Sequence, residues 1–213
     1  LNVSVVAHQF WWEFNYPDLG VYTSQELIVP ENTRVQFTLD SVDVIHSFWI
    51  PAIGGKMDTN VGVTNRMYLD MPAVQPDPEK NIYVGKCAEY CGEGHALMDF
   101  KVKVLTEEDF LAWVENMRQP AQVSENVQQG EELFAANCIS CHAINGEQPS
   151  PSGPNLKGYA NRDLVAGFRP NNEQWLKDWI RHPAEVKPGA TMPALGLSED
   201  EIDALVQYLF ELK

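Results

Sequence analysis

The sequence predicts an all-β sandwich or barrel followed by an all-α domain. Three observations predict it. Over residues 1 to about 105, short alternating or β-branched runs recur between clusters of Gly, Pro, Asn and Asp, the pattern of many short strands joined by turns. At Thr106 the apolar period switches from that of a strand to that of a helix. Two acidic clusters led by Thr or Ser, Thr106-Glu107-Glu108-Asp109 and Ser198-Glu199-Asp200-Glu201, read as capping boxes that open helices. A length of 213 residues suits two small domains, each able to bury its own core.

The elements follow in order. Strands are expected over residues 3–14, 26–29, 34–39, 66–70, 82–85 and 100–105. The helix after Thr106 places Phe110, Val114 and Met117 on one face. Gln119-Pro120-Ala121-Gln122-Val123-Ser124 keeps no apolar period, and its proline disfavours helix before it, so it reads as a linker. The expected division is therefore residues 1–118, a linker over 119–124, and residues 125–213. A linker this short predicts proximity of the two units without one fixed pose. Beyond it a helix is expected from Gly130 through His142, then a Gly/Pro/Ser-rich loop over 146–158. A short helix over 173–181 is stopped by Pro183, and a last helix carries Ile202, Leu205, Val206 and Leu209.

The formal net charge is −15. A phosphate backbone would repel it, which argues against nucleic acid, and anionic lipid is disfavoured for the same reason. A basic protein partner, or plain solubility, fits better. No apolar run approaches the roughly 20 residues that cross a bilayer. The N-terminus lacks the basic start and cleavage site of a signal peptide. The expectation is a soluble chain that is a portion of something longer.

The four cysteines form two tight pairs, a spacing that suits metal or haem attachment better than long-range disulfides. Cys138-Ile139-Ser140-Cys141-His142 is C-x-x-C-H. On a helix the two sulfurs would share a face and reach one haem edge, and His142 would ligate iron. Chance occurrence has odds on the order of one in a thousand. A zinc site would need further Cys or His nearby, and only His182 is at hand. For the sixth iron position the candidates are Met192, in the Gly/Pro-rich loop Lys187-Pro188-Gly189-Ala190-Thr191-Met192-Pro193, and His182.

The other pair lies in a run from Cys87 through Met98 that packs two thiols, the imidazole of His95 and a thioether into twelve residues. Thiolate, imidazole and thioether are the soft set that selects copper. A second imidazole is offered by His46 in Asp43-Val44-Ile45-His46-Ser47. A disulfide within the loop, a zinc site, or His46 as a core histidine are the other readings of these residues.

Residues 125–213 resemble a class I cytochrome c. The likeness rests on the haem motif, Gly130 and Phe134, Gly153-Pro154-Asn155-Leu156, Met192-Pro193 and Tyr208. It implies covalent haem c on Cys138 and Cys141, with His142 and Met192 as axial ligands. It also implies that the first and last helices cross near Gly130 and Tyr208. Trp175 is similar in placement to a tryptophan that meets a haem propionate, although Trp175 and Trp179 also make a plain core stripe. The pattern C-x-E-x-C-x-x-x-H-x-x-M with the upstream D-V-x-H-S resembles subunit II of haem-copper oxidases, which implies a cupredoxin-like Greek-key barrel carrying the dinuclear copper centre CuA. By that likeness His46 and His95 each bind one copper, Cys87 and Cys91 bridge both, and Met98 and the Glu89 carbonyl are weak axial ligands. The Glu89 side chain would reach a magnesium ion at the boundary with the catalytic subunit.

The stretch His8-Gln9-Phe10-Trp11-Trp12 is similar to an aromatic segment beside CuA, with Phe10 where many members have tryptophan. Trp11 and Trp12 either substitute as an electron path or are barrel packing. Since a tether replaces diffusional encounter, Phe10 is not expected to be an obligatory relay. Together the two halves look like subunit II of a caa-type cytochrome c oxidase. The resemblance implies electron transfer from haem c to CuA and on to an oxygen-reducing subunit I, with other membrane subunits alongside. The donor would be a quinol-oxidising complex or a small cytochrome, at the outer face of a bacterial cytoplasmic membrane, and the usual transmembrane hairpin is absent from this sequence. A nitric oxide reductase subunit with CuA, or a copper-delivery module fused to a cytochrome, are the rival readings.

Overall fold

The computed structural model describes all 213 residues. Ten strands build the first unit: β1 Asn2–His8, β2 Trp11–Tyr16, β3 Val21–Ser24, β4 Glu26–Pro30, β5 Arg34–Ser41, β6 His46–Trp49, β7 Met57–Thr59, β8 Asn65–Asp70, β9 Ile82–Cys87 and β10 Asp99–Leu105. They form two five-stranded sheets, ordered β3-β2-β1-β5-β8 and β4-β10-β9-β6-β7. Two pairings are parallel, β1 with β5 and β10 with β4, so each sheet holds strands distant in sequence.

Alternation explains the packing. Along β1, β2 and β5 every second residue is buried, which turns Val5, Phe14 and Phe37 into the space between the sheets. Phe48 and Phe100 stack there with ring centroids 5.1 Å apart. The run expected as one strand over 3–14 is two strands of a hairpin, broken at Gln9 and Phe10. The buried positions change from odd in β1 to even in β2, but the bulky residues from Phe10 to Phe14 blur that change of phase and no Gly or Pro marks the turn. Strands β3, β6 and β7 were missed because each is four residues or fewer.

Helix α1, Glu107–Arg118, starts where Thr106 accepts the Asp109 N–H and buries Phe110, Val114 and Met117 against the barrel. Residues 119–124 carry no regular element. Next come α2 Gln128–Asn137, the short strands β11 Leu164–Val165 and β12 Arg169–Pro170, then α3 Glu173–Arg181, α4 Pro183–Val186 and α5 Glu199–Leu209. Ser198 and Glu201 close the expected capping box. Helix α2 ends at Asn137, so the expected helix through His142 is corrected: Cys138 to His142 form a turn beyond it. At Gly130 an added Cβ would collide with the Ala204 carbonyl and Tyr208, so only glycine lets α2 and α5 cross this closely.

The apolar residues form two separate cores, one ending at Met117 and one beginning at Val127. Polar contacts join the units in one defined pose. The Asn155 N–H donates to Ser24 Oγ at 3.0 Å, the Asp163 N–H to Glu26 Oε1 at 2.8 Å, and the Tyr22 N–H to the Gly146 carbonyl at 2.6 Å. Lys103 bridges Glu26 and Asp163 at 2.9 and 3.2 Å.

Candidate copper and haem centres

The copper residues converge because two adjacent strands deliver them. His46 opens β6 and Cys87 closes β9, which pair antiparallel with Phe48 opposite Cys87. The Gly-rich loop of residues 88–98 then folds back before β10 and brings Cys91, His95 and Met98 to the same point. Cys87 Sγ lies 3.8 Å from His46 Nδ1, 3.8 Å from Cys91 Sγ and 3.2 Å from the Glu89 carbonyl. Cys91 Sγ lies 3.5 Å from His95 Nδ1 and 3.8 Å from Met98 Sδ. All six expected donors therefore face one small volume. The sulfurs stand too far apart for a disulfide, which needs about 2.05 Å.

Burial and charge suit a cation there. His46 and Met98 are fully buried, and Cys87 and Cys91 nearly so. Asp43 Oδ1 lies 2.8 Å from His46 Nε2. A carboxylate only accepts, so Nε2 carries the proton and Nδ1 offers its lone pair toward the sulfurs. Burial alone would lower the His46 pKa, but its contacts with Cys87 and Asp43 raise it. Cys87 is held far below the usual thiol range, first by the hydrogen bond with Cys91 and then by His46, against the opposing effect of burial. That negative charge and burial push Cys91 upward. Binding of a soft cation at such a pair would release its remaining proton. The Glu89 carbonyl faces inward while its side chain is exposed.

In the helical unit Cys138, Cys141, His142 and Met192 line one largely apolar cleft of about 1390 Å³, its mouth included. The Pro154 carbonyl accepts from His142 Nδ1 at 2.8 Å, which leaves Nε2 unprotonated. Burial also lowers the His142 pKa and keeps the ring neutral, the state that ligates iron. Gly153 is pressed against this ring so closely that a Cβ would overlap it. His182 is exposed, 3.9 Å from Glu185 and outside the cleft, so of the two sixth-ligand candidates only Met192 is in place.

The walls fit an amphipathic ring. Tyr159 Oη is buried with no partner, and Arg162 lies beside it in the same wall, a polar corner for acidic substituents. Sequence reasoning missed both, although they follow the Gly-Pro-Asn-Leu run directly. Trp179 lines the cleft, whereas Trp175 packs under Arg169, whose guanidinium sits 4.1 Å from the ring centroid. Of the i, i+4 pair, Trp179 is thus the member that lines the cleft, and Trp175 lies against Arg169.

The aromatic segment divides. Trp12 is fully buried in the barrel, edge-on to His46 at 6.1 Å, and its indole N–H donates to the Met98 carbonyl at 3.4 Å. Trp11 stacks on His8 at 3.9 Å and, with Gln9 and Phe10, forms the barrel's side of the haem cleft. Phe10 is buried against Gly92 and Gly94 of the copper loop and against Gly189 of the methionine loop.

Comparison with known proteins agrees with this division. Residues 20–105 match the family described as cytochrome c oxidase subunit II, periplasmic domain, and residues 127–213 match cytochrome c. The chain is 46% identical over 220 residues to cytochrome c oxidase subunit 2 of Bacillus sp. (strain PS3), covering 99% of this chain and 62% of that protein. It is 43% identical over 222 residues to the protein of the same name from Bacillus subtilis, covering 100% and 62%. The chain thus spans about three fifths of the length of these relatives. Among solved structures, the periplasmic domain of subunit II of cytochrome oxidase from Bradyrhizobium japonicum matches with a TM-score of 0.50 and 27% identity, over 54% of this chain and 91% of that one. This likeness identifies the two sheets as cupredoxin-like. No helix is long and apolar enough to cross a membrane. With both donor sets assembled on the matching folds, residues 20–105 are similar to the cytochrome c oxidase subunit II periplasmic domain and residues 127–213 to cytochrome c, within one polypeptide.

Proposed function

We propose that this chain is the electron-transfer portion of a haem-copper oxidase, taking electrons at a covalent haem c and passing them through CuA to the oxygen-reducing subunit I. The observation that carries the reading is a shared wall: Phe10 lines the haem cleft on one side and packs on the copper loop on the other. Residues 1–118 and 125–213 act as the two units, joined by 119–124.

When bound, CuA spreads one electron over two metal ions and the haem cycles between ferric and ferrous iron. The chain's residues hold these groups still. Cys87 and Cys91 would supply thiolate sulfurs to the copper, with His46, His95, Met98 and the Glu89 carbonyl completing the donor set. Asp43 fixes the His46 tautomer, and the barrel buries the cluster so that no solvent must reorganise around it. Cys138 and Cys141 would attach the haem and His142 and Met192 would hold its iron, where a thioether ligand would favour the ferrous state. The exposed Glu89 carboxylate is free to reach a magnesium ion at the boundary with subunit I. The donor is a quinol-oxidising complex or a small cytochrome, met at the outer face of a bacterial membrane.

The test is flash reduction of the haem in the loaded chain, followed at haem and copper absorption bands, with EPR of the copper. The reading expects a dinuclear mixed-valence signal and copper reduction that is independent of protein concentration. A single labile copper, or a haem that stays reduced while copper stays oxidised, would refute it.

A further inference from the structure

We propose that Lys187 is a positioning residue that locks the helical unit onto the barrel, and so sets the separation between the haem cleft and the copper loop. Lys187 caps the end of α4 and begins the loop that leads to Met192. Its side chain crosses between the units and is 3% exposed. The ammonium donates to the Phe10 carbonyl at 2.6 Å, in the β1–β2 turn of the barrel, and to the Ala166 carbonyl at 2.9 Å, in its own unit. The Phe168 ring covers it, with Nζ 5.8 Å from the centroid.

The position is a costly one for a cation. Burial pushes the Lys187 pKa down to about 7, with the charges of Asp99 and Cys91 opposing that fall. Both hydrogen-bond partners are backbone carbonyls and not carboxylates. A buried ammonium without an ion-pair partner is retained only where fixed dipoles aim at it, and here they come from opposite units. Those dipoles flank the parts that matter. The Phe10 ring rests on Gly92 and Gly94 of the copper loop, and on Gly189, two residues beyond Lys187. One side chain thereby ties the methionine loop to the turn that backs the copper loop. Other interdomain contacts run through Tyr22, Ser24, Glu26 and Lys103, and Gly167, beside Ala166, packs closely on Gln25 and the Asp99 backbone, but among these Lys187 alone ties the methionine loop to the Phe10 turn by a side-chain hydrogen bond.

The inference rests on the proposed electron route for one of its two readouts. The experiment compares the haem- and copper-loaded chain with Lys187→Met and Lys187→Gln. The first readout is amide exchange at Tyr22, Asn155 and Asp163, whose N–H groups donate across the interface. The second is the haem-to-copper rate after flash reduction. Lys187→Met should accelerate exchange at these amides and slow the transfer, each at least tenfold, while haem and copper spectra stay unchanged. Lys187→Gln, which keeps a donor on a shorter stem, should show a smaller change of the same kind. Lys157→Met removes another buried lysine, one that donates to the Lys213 carbonyl within its own unit, and should leave both readouts within twofold. Wild-type exchange and rate in Lys187→Met would overturn the assignment. So would equal loosening by Lys157→Met, or a Lys187→Met chain that loads neither centre, since Lys187 belongs to neither donor set. If the unmutated chain passes no electron, the proposed function fails, and the exchange readout still decides the role of Lys187.

Discussion

Asp43 touches no metal position, yet its replacement should weaken copper binding. Its carboxylate accepts hydrogen bonds from His46 Nε2–H at 2.8 Å and from the N–H groups of Gln9 and Val44, each at 2.6 Å. Burial opposes ionisation, but these hydrogen bonds outweigh it and keep the Asp43 pKa low. In Asp43→Asn the amide cannot accept from all three, and its NH₂ confronts at least one donor. Removing the partner of a ligating histidine lowers metal affinity by about 10- to 100-fold. The Asp43 side chain is 27% exposed, so water makes good part of the loss. Asp43→Asn should therefore fall near the lower bound, about tenfold or ~1.4 kcal/mol, and Asp43→Ala nearer the upper, about 100-fold. Competition against a chelator of known copper affinity measures both, with the copper spectrum reporting an intact centre. Affinities within twofold of wild type in both variants would show that the barrel, and not Asp43, holds the His46 ring, and the orientation argument would fail.

Met192→Ala should leave haem covalently attached on a denaturing gel but lower its reduction potential, because a weaker sixth ligand stabilises ferrous iron less; an unchanged potential would remove Met192 from the iron. Gly130→Val should drive its side chain into Ala204 and Tyr208, at about 1–3 kcal/mol. At about 4–8 °C per kcal/mol, melting of the helical unit should fall by roughly 4–24 °C. Glu211 is held below its usual pKa by the N–H and then the hydroxyl of Ser124. Such a lowered carboxylate stabilises the fold above its unfolded pKa of about 4.3, and this is lost as pH falls through the lowered value. Melting of the wild type should thus drop more steeply from pH 5 to 3 than that of Glu211→Gln, and parallel curves would show that the tie contributes nothing.

Both donor sets were legible because their members are close in sequence: within twelve residues for the copper loop and within five for the haem motif. His46 was harder, since it arrives through strand pairing, and its Asp-Val-x-His-Ser setting pointed to it only by resemblance. What could not be read lies in long-range geometry. No pattern links Lys187 to Phe10, 177 positions away. The expected helix through His142 failed because the Cys138 and Ile139 N–H groups both close on the Phe134 carbonyl, ending the helix one turn early. Local residue preferences in Cys-Ile-Ser-Cys-His do not reveal that stop. Trp175 and Trp179 were equivalent on paper, and only the packing of α3 separated them.

The strand order also sets a sequence of events in biogenesis. Strand β10 lies between β4 and β9, and the copper loop spans the gap between β9 and β10. The second sheet cannot close until residue 105 is available, and closing it is the same act that gathers Cys87, Cys91, His95 and Met98. A barrel lacking β10 would present both thiols on an unpaired segment, open to oxidation to a disulfide. The Cys138 and Cys141 pair lies in a separate core and emerges later, so haem attachment need not wait for copper. Assembly of the copper donors is thus tied to closure of the second sheet, whereas the Cys138–Cys141 turn depends on a core of its own.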